Sequence, residues 1–227
     1  MHPAFSVIFF TVTSGAGYGL IALLCLFNFL YFGMLFDKTN FLIFSGVSVA
    51  LFTMGLISST FHLANPKNAW RAFMRFRTSW LAREGLLAIL FYPTLFLYLI
   101  LIYFDFYKEY FLIMQLYSIY IFFFAIVIIY CTGMIYACLK TIPQWNTIWT
   151  PINYITIGVY LGSLIFFLLL SINEYNINPY KPILLIVITL AFIAKFSYYL
   201  SIKGPRHGIG QATNAAIKLK DTNVRLL

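Results

Sequence analysis

Six long apolar runs constrain the fold of this chain more than any other feature of the sequence. They cover residues 5–36, 41–63, 83–104, 110–138, 152–172 and 182–202. A helix needs about 20 mainly apolar residues to cross the hydrocarbon core of a bilayer, and each run reaches that length. In lipid, a helix satisfies its own backbone hydrogen bonds. The sequence therefore predicts an all-α protein, a polytopic bundle of about six transmembrane helices.

Composition excludes a water-soluble globule. Apolar residues make up 62% of the chain and charged residues only 9%, which leaves too little polar surface to face water. We expect one membrane domain over residues 1–203, followed by a polar tail at 204–227 outside the bilayer. The net charge of +9 is weak evidence for nucleic-acid binding, because the basic excess of a membrane protein usually lies in its cytoplasmic loops. We therefore expect membrane lipid, and no nucleic acid, as a partner.

The distribution of basic residues predicts the orientation of the bundle. Six spans place both termini and the loops 59–85 and 140–151 on one side of the membrane. That side carries eleven basic residues, whereas the other carries three. The eleven are Lys67, Arg71, Arg75, Arg77, Arg83, Lys140, Lys203, Arg206, Lys218, Lys220 and Arg225, and the three are Lys38, Lys108 and Lys181. Positively charged loops favour the cytoplasm, so loop 59–85 and both termini are predicted to be cytoplasmic.

The loop 59–85 combines residue types that suit proton-coupled chemistry. His62 ends the second apolar run and Glu84 opens the third, so both are expected at the same membrane face. An imidazole can hydrogen-bond a ring oxygen of a quinone, and a carboxylate can accept or donate the accompanying proton. Each residue alone has an ordinary explanation, as a packed histidine or as a glutamate favoured by a helix dipole. Together they predict a quinone-binding site at His62 and Glu84, with Glu84 as the proton acceptor or donor.

Between these two residues the loop is both basic and aromatic. Lys67, Arg71 and Arg75 recur at a spacing of four residues, which aligns them on one face of a short helix. Three aromatic residues recur every third position: Trp70, Phe73 and Phe76. One interpretation is an amphipathic helix in the headgroup region, and the other is a basic surface that docks an acidic partner.

Small residues cluster in the first run. Gly15 and Gly19 form a GxxxG pair in the sequence TVTSGAGYG. Such pairs usually mark close helix packing. The alternative is that the missing side chains leave room for a flat ligand.

Lys195 lies within the sixth run, where a charge is costly. Its side chain is long enough to reach the nearer interface, and this snorkelling is one explanation. The other explanation is that Lys195 lies on a proton path.

No bound redox carrier is expected on this protein. Cys25, Cys131 and Cys138 lie in apolar runs without metal-ligand spacing, so no metal site is predicted. A haem with two histidine ligands needs two histidines within spans, and only His62 approaches one. Electrons would therefore pass to or from another subunit. A small transporter with a midplane site and a purely structural anchor remain as alternative functions.

Three segments resemble a known family: MHPAFSVIFFTVTSGAGYGL, TFHLANPKNAWRAFMRFRTSWLAREG and TIPQWNT. They are similar to the membrane anchor subunits of dimethyl sulfoxide reductase and related molybdoenzymes. The resemblance implies a heterotrimer with an iron–sulfur subunit and a molybdopterin catalytic subunit, which carry the bound cofactors. It also implies quinol binding at the positions of His62 and Glu84, and partner docking by Arg71, Arg75 and Arg77.

The resemblance also implies a bacterial inner membrane, but it leaves the direction and the side of the reaction open. Members of the family usually have eight spans, whereas this sequence predicts six. Relatives belong to reductases and to sulfite dehydrogenases. An exported dimethyl sulfoxide reductase would place loop 59–85 outside, against the charge distribution. A cytoplasmic sulfite:quinone oxidoreductase would fit that distribution.

Overall fold

The computed structural model describes residues 5–30, 37–61 and 74–203. Six long helices make up most of these residues: α1 (Phe5–Leu30), α2 (Lys38–Thr60), α3 (Trp80–Tyr103), α4 (Phe111–Ala137), α5 (Trp149–Ile172) and α6 (Lys181–Lys203). Each is long and apolar enough to cross a membrane, and no strand occurs among the described residues. The prediction of an all-α bundle with six transmembrane helices is confirmed.

The ends of the helices differ from the apolar runs by a few residues. Helix α3 begins at Trp80, because the Ser79 hydroxyl accepts a hydrogen bond from the amide of Ala82 and so caps the first turn. Hydropathy alone misses such first turns, which contain polar and interfacial residues. Residues 31–36 of the first predicted span and the predicted tail at 204–227 lie outside the described residues.

Helix α1 lies at the centre of the bundle. Residues 16–25 are buried without interruption, so this helix is surrounded on all sides. It packs against α2, α4 and α5, while α3 packs mainly against α4, and α6 against α5. The helices alternate in direction. We call the side that holds the first residues of α1, α3 and α5 and the last residues of α2, α4 and α6 the loop face.

Glycines allow α1 and α5 to cross at very short distance. A Cβ atom on Gly19 would lie 2.1 Å from the carbonyl oxygen of Gly158, and one on Gly162 would lie 2.3 Å from the backbone nitrogen of Leu20. No side chain fits at either position. Gly15, nearer the loop face, has more space, since its Cβ would be 3.8 Å from the Cα of Gly158. The backbones therefore touch at Gly19 and separate slightly towards the loop face.

The opposite end of the bundle is held by polar contacts between helices. The Asn28 amide of α1 donates hydrogen bonds to the hydroxyls of Tyr98 at 2.7 Å and Tyr107 at 2.6 Å. An ion pair of 2.9 Å joins Lys38, at the start of α2, to Asp105, just after α3. These contacts fix the end of the bundle that lies away from the loop face.

Candidate functional site

Glu84 is buried in the first part of α3, near the loop face. Only 4% of the residue is exposed, which is unusual for a glutamate. The hydroxyl of Thr132, in the last part of α4, donates a hydrogen bond to its carboxylate oxygen Oε1. A buried carboxyl group that is hydrogen-bonded and enclosed by apolar helices is costly to maintain, so it is a candidate for function.

The Thr132 hydroxyl has a second acceptor, the carbonyl oxygen of Ile128 at 3.2 Å. A hydroxyl carries one hydrogen but accepts as well as donates. When Glu84 is ionised, Thr132 can donate to it. When Glu84 is protonated, the carboxylic acid can donate to Thr132 while Thr132 donates to Ile128. The pair therefore remains hydrogen-bonded in both protonation states, as a proton-exchanging group requires.

Arg83, beside Glu84 in the sequence, is engaged elsewhere. Its Nε donates to the carbonyl of Phe76 at 3.0 Å and its Nη2 to the carbonyl of Arg77 at 2.7 Å. The guanidinium group also lies 4.1 Å from the ring centre of Trp80. Arg83 thus holds the segment before α3, and within the described part of the chain Glu84 has no ion-pair partner.

A cavity of about 350 Å³ lies between α1, α4, α5 and α6 in the half of the bundle nearer the loop face. This volume falls in the range of roughly 300–1,000 Å³ that is typical of small-molecule sites. The wall is mainly apolar and aromatic, with a few polar groups. It is formed by Thr11, Val12, Ser14, Gly15, Tyr18, Ile129, Thr132, Tyr136, Trp145, Thr150, Asn153, Tyr154, Ile157, Gly158, Leu161, Lys195 and Tyr198.

Thr132 connects the cavity to the buried carboxyl group. It belongs to the cavity wall and is hydrogen-bonded to Glu84, so that group lies one hydrogen bond behind the wall. A ligand that gains or loses a proton in the cavity could exchange it with Glu84 through this hydroxyl.

The predicted residues differ in their relation to the cavity. Glu84 adjoins it, Gly15 and Lys195 line it, and Gly19 lies in the crossing of α1 and α5. The ammonium group of Lys195 is 5.3 Å from the ring centres of Tyr198 and Tyr199. Gly19 thus fits the interpretation of close helix packing, whereas Gly15 lines the cavity and room there for a flat ligand stays a prediction.

The basic residues predicted to dock a partner are partly described. Arg75 and Arg77 are exposed in the segment just before α3, on the loop face. His62 and Arg71 lie outside the described residues, so the juxtaposition of His62 with Glu84 stays a prediction. Of the short basic helix predicted from Pro66 to Arg77, residues 66–73 lie outside the described residues, and residues 74–77 form a 3-10 turn and not an α-helix.

Sequence reasoning missed Thr132, Tyr18 and Asn153 on the cavity wall. Asn153 carried a usable signal, because an amide side chain within an apolar span is expensive. Thr132 carried none, since a threonine in a helix usually hydrogen-bonds its own backbone. Gly158 and Gly162 form a second GxxxG motif, which is recognisable in the sequence and was also missed.

No candidate metal site is found among residues 5–30, 37–61 and 74–203, where no three His, Cys, Asp or Glu side chains come together. All three histidines of the protein, His2, His62 and His207, lie outside these ranges.

The fold and the site define a polytopic membrane protein with an internal cavity beside a buried carboxyl group. The chain belongs to the DMSO reductase anchor subunit (DmsC) family, whose profile matches residues 1–216. Among curated proteins it is similar to a subunit of sulfite dehydrogenase from Allochromatium vinosum, with 31% identity over 196 residues. The matched region covers 79% of this chain and 58% of that relative. No solved structure gives a significant match.

Proposed function

We propose that this chain is the membrane anchor subunit of a molybdopterin oxidoreductase complex and binds quinone or quinol in the cavity between α1, α4, α5 and α6. Electrons then pass between the quinone pool and an iron–sulfur partner subunit. The observation that carries the proposal is the cavity itself, with Glu84 one hydrogen bond behind its wall. Membership in the anchor family supports the role in a complex.

The chemistry of quinones needs a proton-exchanging group. Oxidation of a quinol to a quinone releases two protons and two electrons, and reduction consumes the same number. Glu84 accepts or supplies one of these protons, and Thr132 transmits it between the carboxyl group and the cavity. His62 is the proposed hydrogen-bond partner of a ring oxygen, as the sequence predicts.

The electrons leave or enter through the loop face. Molybdopterin and the iron–sulfur clusters are expected on the partner subunits. Arg75 and Arg77 are exposed on this face, and with Arg71 they form the proposed docking surface. The cavity lies in the same half of the bundle, which keeps the distance to a docked iron–sulfur subunit short.

The substrate of the complex has two candidates, dimethyl sulfoxide and sulfite. The name of the relative from Allochromatium vinosum supports the second. A cytoplasmic sulfite:quinone oxidoreductase is also consistent with the eleven basic residues on the side of the loop face.

Replacement of Glu84 tests the proposal. The variant Glu84→Gln keeps the shape and still accepts a hydrogen bond from Thr132, but it cannot take up a proton. We expect the complex to assemble normally and its turnover with quinol or quinone to fall by about 100-fold, the lower end of typical general acid–base contributions. The turnover rate of the purified complex with a short-chain quinone or quinol is the measurement.

A soluble redox dye provides the control, because it exchanges electrons directly with the soluble subunits. Turnover with the dye should equal that of the wild type. Unchanged quinone-linked turnover in Glu84→Gln would contradict the proton role of Glu84. Isolation of this protein from native membranes without larger soluble subunits would contradict the proposed complex.

A further inference from the structure

On two residues of the cavity wall, buried polar atoms have no hydrogen-bond partner within the described part of the chain. They are the hydroxyl oxygen of Tyr18 on α1 and the amide oxygen Oδ1 of Asn153 on α5. The two residues are only 2% and 7% exposed. An unsatisfied buried polar group costs roughly 1–3 kcal/mol, so its presence at a cavity calls for an explanation.

The orientation of the Asn153 amide is fixed by its other end. Its Nδ2 donates to the carbonyl oxygen of Trp149 at 2.8 Å. Exchanging nitrogen and oxygen would set two acceptors against each other, so Oδ1 is the unpaired atom. A carbonyl-type oxygen accepts hydrogen bonds and cannot donate them.

Tyr18 is held in place by its ring. The ring stacks on Phe52 with centroids 4.8 Å apart and meets the ring of Phe91 edge-on at 5.5 Å. Its hydroxyl can both donate and accept a hydrogen bond. The aromatic packing therefore fixes the position of this hydroxyl, which has no hydrogen-bond partner among the described residues.

Two other hydroxyls of the wall are already engaged with the protein backbone. Ser14 donates to the carbonyl of Phe10 at 2.6 Å, and Thr150 donates to that of Trp145 at 2.7 Å. Tyr18 and Asn153 are different, because the Tyr18 hydroxyl and the Asn153 amide oxygen have no hydrogen-bond partner among the described residues.

We propose that Asn153 and Tyr18 bind the ring oxygens of the ligand and that Asn153 makes the site selective for its reduced form. A quinol carries hydroxyl groups that can donate to Oδ1 of Asn153, whereas a quinone has carbonyl oxygens that cannot. Tyr18 can serve either form, as a donor to a carbonyl or as an acceptor from a hydroxyl. This inference rests on the proposed quinone-binding function of the same cavity.

Binding to the two redox forms tests the selectivity. The full-length protein in lipid nanodiscs is titrated with decyl-substituted benzoquinone and, under anaerobic conditions, with the corresponding quinol, by calorimetry. We expect the wild type to bind the quinol more tightly. Asn153→Leu should lower the quinol affinity by about tenfold, because the quinol hydroxyl loses its acceptor and is left unpaired. The same variant should change the quinone affinity by less than about threefold. Tyr18→Phe should lower the affinity for both the quinol and the quinone.

Two further variants separate recognition from folding. Asn153→Thr introduces a hydroxyl that can donate to Trp149, and its oxygen lies one bond closer to the backbone than Oδ1, out of reach of the ligand, so it should reproduce the loss of quinol affinity. Asn173→Leu is the matched control, because Asn173 lies just after α5 and its Nδ2 donates to the carbonyl of Leu169 at 2.8 Å in the same way, but the residue is exposed. It should bind both forms as the wild type does.

The outcomes distinguish this inference from the proposed function. If the wild type binds both forms and the Asn153 variants keep the full quinol affinity or lose affinity for both forms equally, the selectivity assigned to Asn153 is wrong while the quinone site stands. If the wild type binds neither form, the proposed function fails and this inference fails with it.

Discussion

At the scale of single residues, the contact between Thr132 and Glu84 is the most consequential. Thr132→Val keeps the shape of the side chain and removes the hydroxyl, so the buried carboxyl group loses its hydrogen bond. A hydrogen bond to a charged group contributes about 1.5–3 kcal/mol, and we expect quinone-linked turnover of the complex to fall by roughly tenfold or more. Steady-state kinetics with a short-chain quinol measures the change.

Thr132→Ser is the matched control for this prediction. It retains the hydroxyl and deletes only a methyl group, so its turnover should stay near that of the wild type. Equal losses in the valine and serine variants would mean that packing around Thr132, and not its hydroxyl, matters.

A second prediction at this scale concerns an exposed ion pair. The Lys38 ammonium group, 2.9 Å from Asp105, holds the pKa of that carboxyl group below its ordinary value. A lowered pKa in the folded state means that the pair stabilises the fold at neutral pH. This contribution is lost as the pH falls below about 4, through the lowered pKa. The contribution is small, because both side chains are substantially exposed.

Lys38→Met should therefore raise the pKa of Asp105 towards its ordinary value. A titration of the carboxyl carbon by nuclear magnetic resonance in detergent micelles follows this directly. Lys181→Met is the control, because Lys181 lies on the same side of the membrane and donates to the side chain of Asn178. A titration curve of Asp105 that is identical in wild type and Lys38→Met would refute the assignment.

The candidate site illustrates which residues the sequence can reveal. The sequence singles out Glu84 by its position at the edge of an apolar run, opposite His62, and the structure buries it one hydrogen bond behind the cavity wall, while its proton role stays a prediction. Thr132 lies 48 residues further along the chain, and nothing in the sequence links the two. Tyr18 and Asn153 are of interest because one polar atom of each has no hydrogen-bond partner among the described residues. The missing partner can be recognised only in the packed helices and not in the sequence.

At the scale of helices, the crossing of α1 and α5 depends on residues without side chains. In Gly19→Ala the new methyl group would lie 2.1 Å from the carbonyl oxygen of Gly158, so one backbone must move. Overpacking of this kind typically costs about 1–3 kcal/mol. We expect a lower thermal unfolding temperature in detergent and, because the crossing continues into the cavity wall, weaker quinol binding.

Gly46→Ala is the matched control on α2. A Cβ atom there would meet no atom within 4 Å. Alanine favours a helix over glycine by up to about 1 kcal/mol, so this variant should be as stable as the wild type or slightly more stable. A Gly19→Ala variant with the stability of Gly46→Ala would show that the crossing has more space than the structure indicates.

The helices themselves were predictable from hydropathy, because a span must satisfy length and apolarity within its own residues. The ends of the helices were less predictable. Ser79, for example, caps α3 through a local hydrogen bond that a hydropathy profile does not detect. The choice of neighbours was not predictable either. Gly15 and Gly19 indicate a close helix contact, but the sequence does not show that α5 is the partner. The choice of partner depends on the packing of all the helices together.

At the scale of the whole molecule, charge asymmetry predicts the orientation of the bundle. The loop face is expected to be cytoplasmic, because its side of the membrane carries eleven of the basic residues and the other side three. The cysteines provide a native probe. Cys138 is exposed at the end of α4 on the loop face, whereas Cys25 and Cys131 are buried.

A membrane-impermeant maleimide should therefore label Cys138 in inverted membrane vesicles and not in right-side-out vesicles. Cys25 and Cys131 should stay unlabelled, because a folded bundle excludes the reagent from its core. The reciprocal control combines Cys138→Ser with Lys108→Cys, which moves the reactive thiol to the turn between α3 and α4 on the other side. This variant should be labelled in right-side-out vesicles alone. The reverse pattern in both proteins would place the loop face and its arginines outside the cytoplasm, as an exported catalytic subunit requires.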